Sequence, residues 1–327
     1  MPVGSFISVG RSLDSAVRRA RRAEELGYHS AYTTHIAGFD SLTVLAAYAA
    51  ATERIKLGTG VLPLYSRTPV ATAQQAVTVD AMSGGRLVLG IGVSHKVTVE
   101  GWFGTEIDKP VRDMREYVAA LRAMFAGEEP PQDAERFRTG FRFMGPQPRP
   151  DLPIYIAGLS PMMLRLAGRV ADGVILWLCN PDYIRDVVVP EVTKGRERAG
   201  KGLDGFDIVA AVPSAVTGDP DGVRNKLRGE LITYFSLPFY RNMIEASGFG
   251  EDIERFDAKM AAGDAPGASA EISDRFLTAL GAIGSTEEAS ASVRRYRDAG
   301  ATSPCIGGVS GTDVDATLEA LAPLAGT

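Results

Sequence analysis

Two of the three histidines in this chain lie where an enzyme could use them. His35 and His95 each follow a short apolar run that predicts a buried strand, whereas His29 precedes such a run. An imidazole titrates near neutral pH, so it can give or accept a proton during a reaction. We therefore predict that His35 and His95 are catalytic and that His29 is structural.

Two glycine-containing stretches are candidates for ligand binding. Gly158-Leu159-Ser160-Pro161 joins a predicted strand to a predicted helix, and the free N–H groups of a helix start favour an anion. The stretch 90–96 ends a predicted strand in small residues, which let a flat ligand approach the backbone, and then in Lys96. Either stretch could instead be only a tight turn. Together they favour a ligand that carries a phosphate.

Motifs of several other chemistries are absent from the sequence. It contains no HExxH or similar group of metal ligands, so no metal site is predicted. It has neither a GxSxG nucleophile elbow nor a P-loop. Gly90-Ile91-Gly92 lacks the third glycine of a dinucleotide-binding motif.

The elements that must position these residues alternate regularly. Between Arg54 and His95 an apolar strand, a helix that begins at Thr68-Pro69 and a second apolar strand form one βαβ unit. Along the chain, eight such runs alternate with helices, at 3–9, 30–35, 55–62, 86–92, 152–157, 173–178, 206–216 and 303–308. This order predicts an α/β fold, a (β/α)8 TIM barrel formed by 1–327 as a single domain. An open doubly wound sheet is the alternative.

Two stretches do not fit the alternation and are predicted to be insertions. They cover about 128–150, after the fourth strand, and about 219–280, after the seventh. The first is predicted to be a surface loop or a short hairpin. Phe235, Phe239, Tyr240 and Met243 recur at helical spacing in the second, where they either cover the site or pack in the core. In a barrel the carboxyl ends of the strands meet on one face, which would bring the two histidines, Gly60, Gly158 and Trp177 together.

Composition narrows the partners. The chain has 45% hydrophobic and 23% charged residues, a formal net charge of −5 and no apolar run long enough to span a membrane. We predict a cytoplasmic protein with a small-molecule substrate and without a nucleic-acid or membrane partner.

Three separated motifs resemble the flavin and deazaflavin branches of the luciferase-like monooxygenase family. They are LGTGVLPLYSRTPVATAQQAVTVDAMSGGRLVLGIGVSH, YIAGLSP with LAGRVADGVIL, and GSTEEASASVRRYRDAGAT. The resemblance implies a (β/α)8 barrel, usually a homodimer, that holds coenzyme F420 or FMN at the carboxyl ends of the strands. In deazaflavin members a non-prolyl cis peptide follows the third strand, and that position is Gly60-Val61 here.

The resemblance also implies which residues bind the coenzyme. They are Thr34, Gly60, Val61, Leu62, Gly92, Val93, Ser94, Lys96, Ala157, Gly158, Leu159 and Ser160. At the ends of strands beside them we expect Trp177 and Tyr65 to contact the substrate. Where deazaflavin members often have Asp-His after the second strand, this chain has Thr34-His35. The sugar-phosphate dehydrogenase branch expects a glutamate at His95, so that substrate is disfavoured.

The leading hypothesis is hydride transfer between coenzyme F420 and a small organic substrate, with reduction of a C=C or C=N bond as one direction. The first alternative is an FMN-dependent monooxygenase on the same barrel. The second is a flavin-binding protein without catalytic activity.

Overall fold

The computed structural model describes residues 2–145 and 147–326 of the chain. Its strands, in chain order, are β1 (Gly4–Phe6), β2 (Ser30–Thr33), β3 (Lys56–Thr59), β4 (Leu62–Pro63), β5 (Leu87–Gly92), β6 (Ile154–Ala157), β7 (Gly173–Trp177), β8 (Asp207–Val216), β9 (Ala282–Gly284) and β10 (Ser303–Gly308).

Eight of these strands close into a ring. Parallel neighbours run in the order β1, β2, β3, β5, β6, β7 and β8, and β10 closes the ring by pairing with both β8 and β1. In the closing pair, Cys305 lies opposite Ala211 of β8 and Gly4 of β1. The predicted (β/α)8 barrel is therefore confirmed, and the open sheet is wrong.

Two short strands lie beside the ring. β4 begins at Leu62, the last residue of the predicted strand 55–62, and β9 was not predicted. β4 continues the chain after β3 and pairs with the end of β5, and β9 pairs with the last residues of β8. Both widen the sheet at its carboxyl edge, the edge that the predicted site occupies.

The α-helices are α1 (Leu13–Glu25), α2 (Ser41–Ala51), α3 (Pro69–Met82), α4 (Lys96–Trp102), α5 (Pro110–Ala126), α6 (Pro161–Val170), α7 (Pro181–Tyr183), α8 (Val189–Arg198), α9 (Pro220–Phe235), α10 (Pro238–Ile244), α11 (Gly250–Ala261), α12 (Ala265–Ala270), α13 (Asp274–Leu280), α14 (Thr286–Asp298) and α15 (Val314–Leu321). Single 3₁₀ turns cover Leu64–Ser66 and Ala322–Leu324, and π turns cover Ile184–Val188 and Glu245–Phe249.

The helix starts follow from capping. Ser12, Asp40 and Thr68 each accept a hydrogen bond from a backbone N–H in the first turn of the helix that follows them, which satisfies one of its unpaired donors. Ser285 and Glu288 form the capping box of α14 that the sequence indicates. Helix α4, by contrast, was not predicted.

The two insertions differ in character. The described residues of 128–150 form no helix or strand, so the loop prediction is confirmed and the hairpin is wrong. This loop is fixed to α5, because the Glu116 carboxylate accepts the backbone N–H of Arg136 at 2.9 Å. The second insertion contains α9 to α13 and is entirely helical among its regular elements.

Side chains fill the barrel interior. A separate buried cluster takes Tyr32, Val88, Tyr155, Ile175, Val209 and Cys305 from six different strands, and Phe6 and Val61 pack against it. Rings of Phe6 and Tyr32 stack with centroids 5.2 Å apart. The larger core lies between the strands and the surrounding helices. None of the helices in the described part of the chain has the length and apolar character needed to cross a membrane.

Candidate active site

A cavity of about 720 Å³ opens at the carboxyl ends of the barrel strands, and we call it the mouth cavity. This volume lies within the range of small-molecule and coenzyme sites. Among the predicted site residues, the cavity is lined by Thr34, His35, Gly60, Val61, Gly92, Val93, Ser94, His95, Ala157, Gly158, Leu159, Ser160 and Trp177. The barrel thus brings together residues that are far apart in sequence.

Three predicted site residues do not line this cavity. Leu62 is fully buried, since it pairs with Ile91 in the sheet. The hydroxyl of Tyr65 donates to Oδ2 of the buried Asp113 at 2.8 Å, so Tyr65 is a core residue rather than a substrate contact. The Lys96 side chain is 73% exposed and lies 3.7 Å from the Glu100 carboxylate.

The backbone of Gly60, Val61 and Gly92 forms the floor of the mouth cavity. The peptide bond between Gly60 and Val61 is cis, as the family resemblance implied. At Gly92 an added Cβ would lie 2.6 Å from Cγ2 of Val61 and 3.2 Å from Cβ of Ala157. A side chain at position 92 would therefore push against Val61 and Ala157, both of which line the cavity.

His35 is held by the start of α2. The backbone N–H of Ser41 donates to Nδ1 of His35 at 3.2 Å, and the Ser41 hydroxyl lies at the same distance from that nitrogen. Because Nδ1 accepts a hydrogen bond, the proton of the neutral ring belongs on Nε2. His35 can therefore act as a hydrogen-bond donor while it is uncharged.

An ion pair stands beside His35. Oδ2 of Asp40 accepts from the Arg67 guanidinium at 2.7 Å and lies 3.6 Å from Nδ1 of His35. Burial lowers the pKa of His35, the charge of Arg67 lowers it further, and Asp40 offsets part of this effect. Since Arg67 neutralises the carboxylate, the imidazole stays uncharged at neutral pH.

His95 lies after β5, at the start of α4. Its ring contacts that of Tyr240 with centroids 5.7 Å apart. Burial lowers the pKa of His95. Both histidines therefore present neutral rings to the cavity.

The second insertion supplies part of the cavity wall. Tyr234 of α9 packs edge-on against both Trp177 and Tyr240, with centroids 6.2 and 4.8 Å apart. Of the four insertion residues considered from the sequence, Phe239 and Tyr240 line the cavity, whereas Phe235 and Met243 are core residues. Tyr234 was not predicted as a site residue from the sequence. It lies one helical turn after Glu230, which also lines the cavity wall.

Helix α6 points its start at the cavity. Ser160 is the N-cap, and its hydroxyl accepts the N–H of Met163 at 3.3 Å. Gly158, Leu159 and Ser160 line the cavity just before this start. The arrangement is one that can bind an anion through backbone N–H groups and the helix dipole.

Two residues in unusual backbone conformations border the site. Ser94 and Leu178 have φ of 62° and 60°, and each follows the end of a barrel strand. Such conformations in residues other than glycine are uncommon and concentrate at functional sites. Within the described residues, no group of three or more His, Cys, Asp or Glu side chains is placed to hold a metal ion.

The chain is similar in sequence to a known family and to several known proteins. The profile of a family described as luciferase-like monooxygenase matches residues 1–303. The chain is 30% identical over 303 residues to 5,10-methylenetetrahydromethanopterin reductase of Archaeoglobus fulgidus, which covers 91% of this chain and 90% of that protein. It is 32% identical over 212 residues to a putative coenzyme F420-dependent oxidoreductase of Mycobacterium tuberculosis, covering 60% of this chain and 61% of that one.

A solved structure has the same fold. The coenzyme F420-dependent tetrahydromethanopterin reductase of Methanopyrus kandleri superimposes with a TM-score of 0.84 at 23% identity, over 98% of this chain and 97% of that chain.

Proposed function

This chain belongs to the luciferase-like monooxygenase family, and from that premise we propose that it is a coenzyme F420-dependent oxidoreductase. The reaction we propose is hydride transfer between the deazaflavin and a small organic substrate. Similarity to F420-dependent proteins over most of the chain supports this function. The observation that carries it is the mouth cavity. Its lining combines the backbone of Gly60-Val61 and Gly92, the start of α6 and the neutral ring of His35.

The residues present fit such a coenzyme. We propose that its ring lies over Gly60-Val61 and Gly92, which line the cavity. The N–H groups near Gly158 and Ser160 suit its phosphate. When bound, the deazaflavin supplies a hydride donor or acceptor that lacks the oxygen chemistry of FMN.

The chain itself contributes orientation and a proton. His35 is fixed through Nδ1, so its Nε2–H is the group that can donate to a developing negative charge or exchange the accompanying proton. The walls of the cavity are mostly apolar and aromatic, and a hydrogen bond in such surroundings is stronger than in water. His95, next to Tyr240, is the second candidate for proton transfer.

Titration of the purified protein with F420 and with FMN tests the coenzyme. Quenching or shift of the deazaflavin fluorescence should saturate at micromolar F420, whereas FMN should bind at least about tenfold more weakly. Turnover supported by reduced FMN and oxygen, but not by F420, would overturn the proposal in favour of a monooxygenase. The homodimer and the cytoplasmic location stay predictions, and light scattering after size exclusion tests the first.

A further inference from the structure

One face of helix α9 forms a wall of the mouth cavity. Leu227, Glu230 and Tyr234 line it, and they are spaced by three or four residues, as one face of a helix requires. Leu237 lines the same wall just past the end of α9. The helix is tied to the loop after β10, because Glu230 accepts the backbone N–H of Ser310 at 3.1 Å and Lys226 donates to the carbonyl of Gly311 at 3.1 Å. Tyr234 is thus held at a defined place over the barrel.

The inner part of this wall is aromatic. Trp177, Tyr234, Tyr240 and His95 form a continuous series of ring contacts, with interplanar angles of 66°, 73° and 52°. The edge-on contact of Tyr234 with Trp177 holds the two rings against each other. Edges and faces of rings at such angles form a surface on which a flat ring ligand can stack.

The charges in the cavity wall are compensated or peripheral. Arg19 is the one Arg or Lys side chain among the described wall residues. It forms a bidentate ion pair with Asp315, in which Nε donates to Oδ1 at 2.7 Å and Nη2 to Oδ2 at 3.0 Å. Glu230 is exposed at the rim. Burial lowers the pKa of both His35 and His95, so neither adds a positive charge at neutral pH.

Neutral hydrogen-bonding groups also line the cavity. Burial raises the pKa of the Tyr240 hydroxyl well above its ordinary value, so this hydroxyl stays protonated. Nε2 of His35 also carries a proton when the ring is neutral. A carbonyl or imine group of a ligand could accept from such donors, whereas a carboxylate or phosphate would have no free cation to pair with.

We propose that the substrate is an uncharged, flat cyclic compound, such as a cyclic enone or imine, that stacks against Trp177, Tyr234 and Tyr240. This inference rests on the oxidoreductase function proposed above and specifies the chemical class of its substrate. Among the described residues of this wall the one Arg or Lys side chain, Arg19, is already paired with Asp315, so we expect anionic and phosphorylated compounds to bind this subsite more weakly.

A matched ligand series tests the class. Because Trp102 and Trp177 are the two tryptophans of the chain, the Trp102→Phe variant leaves Trp177 as the fluorescence reporter inside the cavity. Its emission is titrated in the coenzyme-free protein with cyclohex-2-en-1-one, with the same ring bearing a carboxylate, and with the same ring bearing an ammonium group. The neutral ring should bind at least about tenfold more tightly than either charged ring.

A second variant tests whether the neutral ring binds against Tyr234. Tyr234→Leu should weaken binding of the neutral ring about fivefold to tenfold, since it removes one stacking surface. Ser236→Ala is the matched control, because Ser236 is exposed at the end of the same helix and does not line the cavity. Equal or tighter binding of a charged ring, no response of Trp177 to any of the three rings, or equal effects of the two variants would each overturn the inference.

The coenzyme is assayed separately, through its own fluorescence. If F420 fails to bind while the neutral ring still binds selectively, the proposed oxidoreductase function fails and the ligand class stands. If F420 binds and the charged rings bind as well as the neutral one, the function stands and the ligand class fails.

Discussion

The backbone N–H of Ser41 donates to Nδ1 of His35 at 3.2 Å, which fixes the ring in the loop between β2 and α2. An aspartate directly before His35 is missing in this chain, since Thr34 stands there. The first turn of α2 thus orients the histidine, with Asp40 as the nearby carboxylate.

Replacement of this histidine tests its role as proton donor. His35→Gln should lower kcat by about 10²- to 10⁴-fold, the usual contribution of a positioned acid or base. The Kd for F420 should change little, because the ring is one of many contacts. His29→Gln is the control, since His29 lies before β2 at the other end of the barrel. Turnover of H35Q within about threefold of the parent would argue against the assignment.

The two cavity histidines should make the fold sensitive to acid. Burial holds the pKa of His35 and His95 below the ordinary 6.5, so the unfolded chain binds more protons once the pH falls through that value. Their contribution to stability is present above pH 6.5 and is lost as the pH falls towards the lowered values. Urea unfolding between pH 8 and pH 5 measures this.

In that titration the double variant H35Q/H95Q should lose less stability on acidification than the parent. Its free energy of unfolding at pH 8 serves as the reference, so a general loss of stability is separated from the slope. Parallel slopes for the two proteins would mean that other groups carry the pH dependence.

Gly92 lies in the floor of the mouth cavity. Gly92→Ala places a Cβ 2.6 Å from Cγ2 of Val61, so Val61, which lines the cavity, must shift. We expect a loss of about 1–3 kcal/mol in stability and at least about tenfold weaker F420 binding. Gly229→Ala is the matched control on α9, where an added Cβ meets no atom within 4 Å. Unchanged F420 affinity in G92A would place the ring elsewhere.

Glu24 joins α1 to the start of β3, far from the mouth cavity. Its carboxylate accepts the backbone N–H groups of Glu53 and Ile55 at 3.0 and 2.7 Å, and that of Arg54. Burial alone would raise the pKa of Glu24, but the N–H groups of Ile55, Arg54 and Glu53 outweigh it and hold the pKa below 4.5. The stability that these bonds provide is therefore present above pH 4.5 and lost as the pH falls below it.

Glu24→Gln should lower the free energy of unfolding by about 1–3 kcal/mol at neutral pH, because the amide is a weaker acceptor than the carboxylate. Urea denaturation measures the loss, and kcat should stay at the parental value. Glu25→Gln, which changes a surface ion pair of the same helix, is the comparison and should cost less than about 1 kcal/mol.

The barrel could be predicted because its strands are nearly continuous apolar runs and its helices have strong caps. Ser12, Asp40, Thr68 and Ser285 all cap helices at the positions that local sequence indicates. Closure of the ring then brought His35 and His95 to one cavity, as the strand order required. These features depend on short-range patterns.

Other features depend on contacts between distant residues and could not be predicted. Tyr65 looked like a mouth residue from its position after β3, yet its hydroxyl turns to the buried Asp113, which is 48 positions away. The wall formed by Tyr234 depends on how α9 packs over the barrel, which no local pattern specifies. Helix α4 is only seven residues long and has no side-chain cap, so its sequence carries a weak helical pattern.

The packed cluster inside the barrel has a consequence for how protons travel. Tyr32, Tyr155 and Val209 belong to the buried cluster that packs the interior beneath the cavity, whereas the cavity itself opens at the mouth. If His35 transfers a proton as proposed, we expect that proton to reach bulk solvent across the rim of the mouth, on the same side from which ligands enter. Occupancy of the cavity and proton exchange with solvent are then coupled, so a bound ligand slows the equilibration of the reacting proton with the medium.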